Sequence, residues 1–257
     1  MLGAAHRVTD SLGLTDKVAI VTGGGRNIGR EICLTLARHG CDVVVNVRSN
    51  TEEGESVAGE VKSLGRRALL VVADVGDPAA VTCMVEQAVD HFGRVDVLVN
   101  NATYRPGVKF LEMSDEMMER VFAVTLFGPV HACRAVLPHM MSQGSGSIVS
   151  ISGTVVHLGS WTQLAAAKAG VVGLTRGIAK EFGPAGIRAN LIEPSTIDTI
   201  NERPPLPEKV AAELGRTPLG RIGERREVAE VCAFLAGDMS SFITGQTIHV
   251  NGGQFMP

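Results

Sequence analysis

Seven short runs rich in Val, Ile and Leu, at residues 17–22, 42–47, 67–72, 95–100, 147–151, 187–192 and 247–250, alternate with stretches of helical length. No other feature constrains the fold so strongly. Strands joined through helical crossovers pair in parallel, and a parallel sheet must be covered on both faces. The segments 28–39, 78–92, 116–141 and 164–182 are long enough to be such crossovers and are bounded by Gly or Pro. The expected architecture is α/β: a doubly wound seven-stranded parallel sheet with helices on both faces.

A chain of 257 residues forms one such domain. The expected boundaries are an N-terminal arm at 1–13 and a single domain at 14–257. The proline-containing stretch 199–218 breaks the rhythm and reads either as a substrate lid or as a plain surface loop. A net charge of -3 leaves no basic footprint for nucleic acid or an anionic membrane, so the expected partner is a small-molecule substrate. The N-terminus lacks the apolar core of a signal peptide, and no later apolar stretch is expected to reach membrane-span length. Five scattered cysteines, at 33, 41, 83, 133 and 232, lack the close pairs of a zinc or redox motif. They read as reduced thiols of a cytoplasmic protein, and no metal site is expected.

Directly after the first strand, residues 22–30 read TGGGRNIGR and open a helix. Small residues here let backbone amides approach a pyrophosphate, which the partial positive charge of the helix N-terminus favours. The general dinucleotide fingerprint is not met, because Ile28 stands where its last glycine belongs.

The turn resembles the Thr-Gly-x-x-x-Gly-x-Gly segment of short-chain dehydrogenases/reductases, with Thr22, Gly23 and Gly29 in place and Asn27 at the middle glycine. Asparagine tolerates positive φ better than most side-chain-bearing residues. Further matches follow in family order: Asp74-Val75, Asn100-Asn101-Ala102, Lys168, Arg188-Ala189-Asn190, Pro194 through Thr199, and the closing TGQTIHVNGG. The resemblance covers residues 14–253 and implies a Rossmann-type sheet that binds a nicotinamide dinucleotide.

By that resemblance the turn residues Thr22, Gly23, Asn27, Ile28 and Gly29 belong to the cofactor site at the pyrophosphate, and Asp74 and Val75 contact adenine. Asn101, Ala102 and Lys168 border the ribose next to the nicotinamide, and Pro194, Ile197 and Thr199 lie at the carboxamide. The second strand ends in Val47-Arg48, where NAD enzymes carry an acid for the ribose hydroxyls. With Arg48 and Arg26 placed to meet a 2′-phosphate, NADP(H) is expected in preference to NAD(H).

The family's catalytic residues are largely replaced. Leu164 stands four residues before Lys168, where the proton-donating tyrosine belongs, Gly153 at the substrate-binding serine and Thr125 at the relay asparagine. Enoyl reductases of the superfamily place their tyrosine seven residues before the lysine, which here is Trp161. Tyr104 and His157 are the remaining titratable candidates beside Lys168. The expected function is a divergent NADP(H)-dependent oxidoreductase acting on a small carbonyl or activated alkene, with a displaced or water-borne acid. The alternatives are a cofactor-binding pseudoenzyme or regulatory subunit and a non-redox lyase or isomerase. The family implies a homo-oligomer, tetramer or dimer, built through the long helices after the fourth and fifth strands.

Overall fold

The computed structural model describes residues 11–199 and 207–257. All seven strands form, as β1 (Val18–Val21), β2 (Asp42–Val47), β3 (Ala68–Val72), β4 (Val97–Asn100), β5 (Gly146–Ile151), β6 (Ile187–Pro194) and β7 (Thr247–Val250). They make one parallel sheet in the order β3-β2-β1-β4-β5-β6-β7. Strand order reverses between β1 and β4, which opens a crevice at the carboxyl edge of the sheet.

Every residue of β1 and β2 is buried, as strands covered on both faces must be. Their two-residue period sorts side chains into two cores. Ala19, Val21, Val43 and Val45 pack with Ile32 and Leu36 of α1 (Asn27–Arg38), Val57 of α2 (Thr51–Ser63) and Val228 of α9 (Arg225–Ala236). Val18, Ile20 and Val44 face the other way, against Met84 of α3 (Pro78–Phe92) and Val136 of α5 (Gly128–Gln143). A one-residue slip in either strand would exchange these two sets.

Local chemistry sets the helix ends. Pro78 opens α3 behind an Asp77 cap that accepts from the Ala79 N–H, and Gly93 at φ 82° closes it. The helix expected at 116–141 is divided into α4 (Asp115–Phe122) and α5 by a π-helical turn at Ala123–Phe127. Pro129 has no N–H to give the carbonyl four residues back, that of Thr125, so the regular ladder fails there. The combined stretch Asp115–Gln143 is long and apolar enough to cross a membrane by length and composition, which the sequence reading did not expect. Half of its most apolar window is buried inside the fold, where α5 packs against α3, β4 and β5.

Helices α6 (Val155–Leu158) and α7 (Thr162–Phe182) follow β5. Within the stretch read as irregular, Pro207–Gly215 forms a helix, α8. The rest of that proposed lid falls partly on residues 200–206, outside the described residues, as does most of the proposed arm. The arm's last residues are docked: the Leu12 carbonyl accepts from the Asp238 N–H, and the Leu12 side chain packs on the first core.

Candidate active site

The glycine turn between β1 and α1 is built by close approach. Gly23 sits at φ 63° and Asn27 at φ 52°, so asparagine supplies the left-handed conformation in the middle glycine's place. A Cβ on Gly29 would lie 2.1 Å from the Gly23 carbonyl oxygen, so only glycine fits there. The Gly23 N–H donates to Asn46 Oδ1, and the Gly24 N–H donates to the Asn46 carbonyl. Ile28 is partly buried against the core, and Arg26, just ahead of α1, is exposed.

Two residues expected to border the cofactor hold the turn and the end of β4 together. Thr22 is buried, and its hydroxyl donates to the Val99 carbonyl while accepting from the Asn101 and Ala102 N–H groups. The Asn101 side-chain amide donates to the carbonyls of Thr22, at 2.9 Å, and Gly23, at 3.1 Å. Together they staple the end of β4 to the glycine turn at the strand-order reversal. Ala102 packs partly buried on the second core.

At the adenosine end, Arg48 is exposed just past β2. An open pocket beside the glycine turn is lined by Arg26, Asn27, Arg30, Glu52, Glu53 and Arg225, so its charge is mixed, and Arg30 is paired with Glu60 and Glu31. Asp74 accepts from Arg120 and from the Gly76 N–H. Burial alone would raise its pKa, but the Arg120 and Gly76 hydrogen bonds and the nearby Arg48 charge together hold it below the ordinary carboxylate range. Val75 is almost fully buried in the second core, against Gly128.

The catalytic end forms where β5, β6, β7 and α7 meet. Lys168 is buried, and its ammonium donates to the carbonyl oxygens of Ile151 and Ser152 at the end of β5. Desolvation, with the Arg105 charge adding to it and Glu193 opposing it, lowers its pKa to about 8. Leu164 is buried one turn earlier. A Cβ on Gly153 would meet nothing nearer than the Pro194 carbonyl at 3.6 Å, so the missing serine leaves space. The Ser152 hydroxyl is buried and makes no hydrogen bond among the described residues. Thr125 lies in the π turn and accepts from the Tyr104 N–H, with its hydroxyl 3.2 Å from that of Thr103.

The other two proton-donor candidates diverge. Tyr104 is partly buried and packs against the second core. His157 turns toward the β6–β7 side: its Nε2 lies 2.8 Å from Glu193 Oε2, and its ring stacks on Phe255. Trp161 is exposed at φ 57° just before α7, with the Arg105 guanidinium 6.0 Å from its ring centre. Pro194 ends β6 and accepts from the Thr154 N–H, and Ile197 pairs with Gly223. Thr199, the last of the described residues 11–199, is half-buried. The sequence reading missed Glu193 and His249, which stand with His157, and it expected no such group. The three come from separate elements, and no spacing motif announces them.

A glycine turn closing on a helix N-terminus, at the order reversal of a parallel seven-stranded sheet, defines a dinucleotide-binding α/β protein. Residues 23–254 match the family profile described as enoyl-(acyl carrier protein) reductase. The chain is 38% identical over 247 residues to the 3-oxoacyl-[acyl-carrier-protein] reductase FabG of Staphylococcus aureus, covering 93% of this chain and 98% of that one. It is 37% identical over 248 residues to an L-rhamnose 1-dehydrogenase (NAD(P)(+)) of a Sphingomonas species, covering 95% and 98%. A solved structure from Sinorhizobium meliloti, described as that of a short-chain alcohol dehydrogenase, superposes with a TM-score of 0.91 at 28% identity, covering 94% and 97%. The chain belongs to the short-chain dehydrogenase/reductase family of oxidoreductases.

Proposed function

We propose that the chain is an NADP(H)-dependent oxidoreductase of a small carbonyl or activated-alkene substrate, in which Lys168 replaces the absent tyrosine as source of the proton. The observation that carries this reading is the buried Lys168 ammonium, with its pKa lowered to about 8, beside the room left at Gly153.

The residues present fit a nicotinamide dinucleotide. The tight Gly23–Gly29 packing keeps the turn's backbone compact at the N-terminus of α1, where a pyrophosphate would sit, and Arg26 and Arg225 line the neighbouring pocket, where an adenosine phosphate would meet them alongside Glu52 and Glu53. No acid stands at the end of β2, where one would repel a 2′-phosphate. Asp74, Ala102, Pro194, Ile197 and Thr199 border the remaining path along the strand ends. When bound, the reduced cofactor supplies the hydride.

Lys168 does the protein's part. The Ile151 and Ser152 carbonyls fix its ammonium, and a pKa of about 8 keeps it mostly protonated at neutrality yet close enough to release a proton. Leucine and glycine at positions 164 and 153 offer no hydroxyl, so the substrate oxygen would take its proton from Lys168 directly or through a water. A substrate whose product anion is already stabilised, such as an enone or a reactive dicarbonyl, suits so sparse a set of donors.

The test is NADPH oxidation with panels of enones, dicarbonyls and plain ketones, followed across pH in wild type and Lys168→Arg. Turnover of the activated substrates with an apparent acid near 8, lost in the variant, is expected. Equal turnover by the variant would overturn the role of Lys168. The missing hydroxyls favour a second reading, a cofactor-binding subunit without turnover, and tight NADPH binding with no oxidation of any panel member would select it.

The same reading places the protein in the cytoplasm, as a homo-oligomer without nucleic-acid or membrane partners. Five free cysteines suit a reducing compartment, and exposed Phe110, Leu111 and Phe127 beside α4 and α5 offer an apolar face to a second copy.

A further inference from the structure

Glu193 is fully buried at the end of β6, and its carboxylate lies between two imidazoles. His157 Nε2 is 2.8 Å from Oε2, and His249 Nδ1 is 3.3 Å from the same oxygen. The second contact is not aligned as a hydrogen bond: His249 Nδ1 and Glu193 Oε1 are both buried without a partner among the described residues. A buried carboxylate is costly unless compensated, and each unsatisfied polar atom adds to that. The single hydrogen bond to His157 leaves both of these atoms unserved.

We infer that His157, Glu193 and His249 form a binding site for a divalent transition-metal ion of the zinc type. One such ion would engage both imidazoles and the carboxylate together, the two-histidine, one-carboxylate set that zinc accepts with a water in the fourth position. The three donor atoms lie within 4.8 Å of one another. Metal–ligand bonds of about 2.0–2.2 Å bring tetrahedral ligands to about 3.4 Å apart, so the site needs only side-chain adjustment.

The rings are already held. Phe255 stacks on His157 at 4.1 Å and 7° and meets His249 edge-on at 5.3 Å, while the Asn251 side chain donates to the Phe255 carbonyl. The ligands come from α6, β6 and β7, so bound metal would tie the C-terminal strand to the loop that leads into α7. The inference rests on ligand geometry alone and stands or falls separately from the oxidoreductase reading.

The experiment uses untagged, chelator-treated protein titrated with Zn²⁺ by calorimetry and with Co²⁺ by visible absorption. One equivalent is expected to bind, with Co²⁺ giving the intense bands of a tetrahedral site. His249→Ala and His157→Ala should each weaken binding by at least about 100-fold while circular dichroism remains native. His157 is partly exposed, so its variant keeps the test valid if His249→Ala or Glu193→Gln fails to fold. No stoichiometric binding by wild type, or binding that survives in His157→Ala, would overturn the site and assign any uptake to surface histidines.

Discussion

Lys168 gives its ammonium protons to the carbonyl oxygens of Ile151 and Ser152 and forms no ion pair among the described residues. Its charge is therefore carried by dipoles in a dry setting, and the cost appears as a pKa lowered from 10.5 to about 8.

That shift fixes the sign of a stability effect. Below pH 8 both folded and unfolded chains hold the Lys168 proton, and the folded state bears the full burial penalty. Between about 8 and 10.5 only the unfolded chain holds it, so this residue's contribution to stability rises with pH. The cofactor-free wild type should gain about 3 kcal/mol relative to Lys168→Met between pH 7 and pH 11, an order-of-magnitude figure at 1.36 kcal/mol per unit. Urea unfolding of both proteins across that range measures the difference, and a flat difference would mean that Lys168 is solvated.

Arg48 and Arg26 should set cofactor preference. A charge-assisted hydrogen bond to a phosphate is worth about 1.5–3 kcal/mol, so Arg48→Ala should reduce NADPH affinity by roughly 10- to 100-fold and leave NADH nearly unchanged. Fluorescence titration of both cofactors reads the ratio. Equal affinities in wild type would remove the 2′-phosphate assignment, and a loss seen only in Arg30→Ala or Arg225→Ala would move it deeper into the pocket.

Gly29→Ala isolates the close approach at the turn. Alanine is favoured over glycine inside a helix by about 1 kcal/mol, so propensity alone predicts stabilisation. The added Cβ would instead meet the Gly23 carbonyl at 2.1 Å and the Asn101 amide at 2.6 Å. We expect a net loss of about 1–3 kcal/mol in thermal unfolding, together with loss of cofactor binding, because backbone atoms must move. A variant as stable as wild type with intact binding would show that the turn yields easily.

The strands were legible because burial on both faces turns each into a nearly unbroken apolar run, as at β1 and β2. The break inside 116–141 is marked in the sequence only by Gly128-Pro129, within a stretch apolar on either side. Helix α2 was missed, its pattern diluted by Gly54 and Gly59 among charged residues. At the site, Asn27 and Gly29 could be assigned from local sequence, since their conformations are local. The roles of Thr22 and Asn101 could not, because their partners sit on strands nearly 80 residues away and only sheet order brings them together. The His157, Glu193 and His249 group was illegible for the same reason.

The last prediction concerns restoring the family's lost groups. Wild type should show little reduction of plain ketones, since a positioned acid contributes about a hundred- to ten-thousand-fold. Leu164→Tyr alone should recover little of this, because no hydroxyl would orient the substrate oxygen beside the new phenol. Gly153→Ser is sterically open, its Cβ meeting nothing within 3.6 Å. Thr125→Asn carries more risk, because Thr125 accepts the Tyr104 N–H from within the π turn, and asparagine must take over that bond with its carbonyl oxygen. The triple variant Leu164→Tyr, Gly153→Ser, Thr125→Asn should exceed the product of the single gains, since residues that act as a unit are not additive. NADPH oxidation with small ketones and β-keto esters, on variants shown to be folded, measures each gain. If wild type already reduces plain ketones efficiently, another group supplies the proton; if the triple variant gains no more than the product, the three positions do not form one catalytic unit.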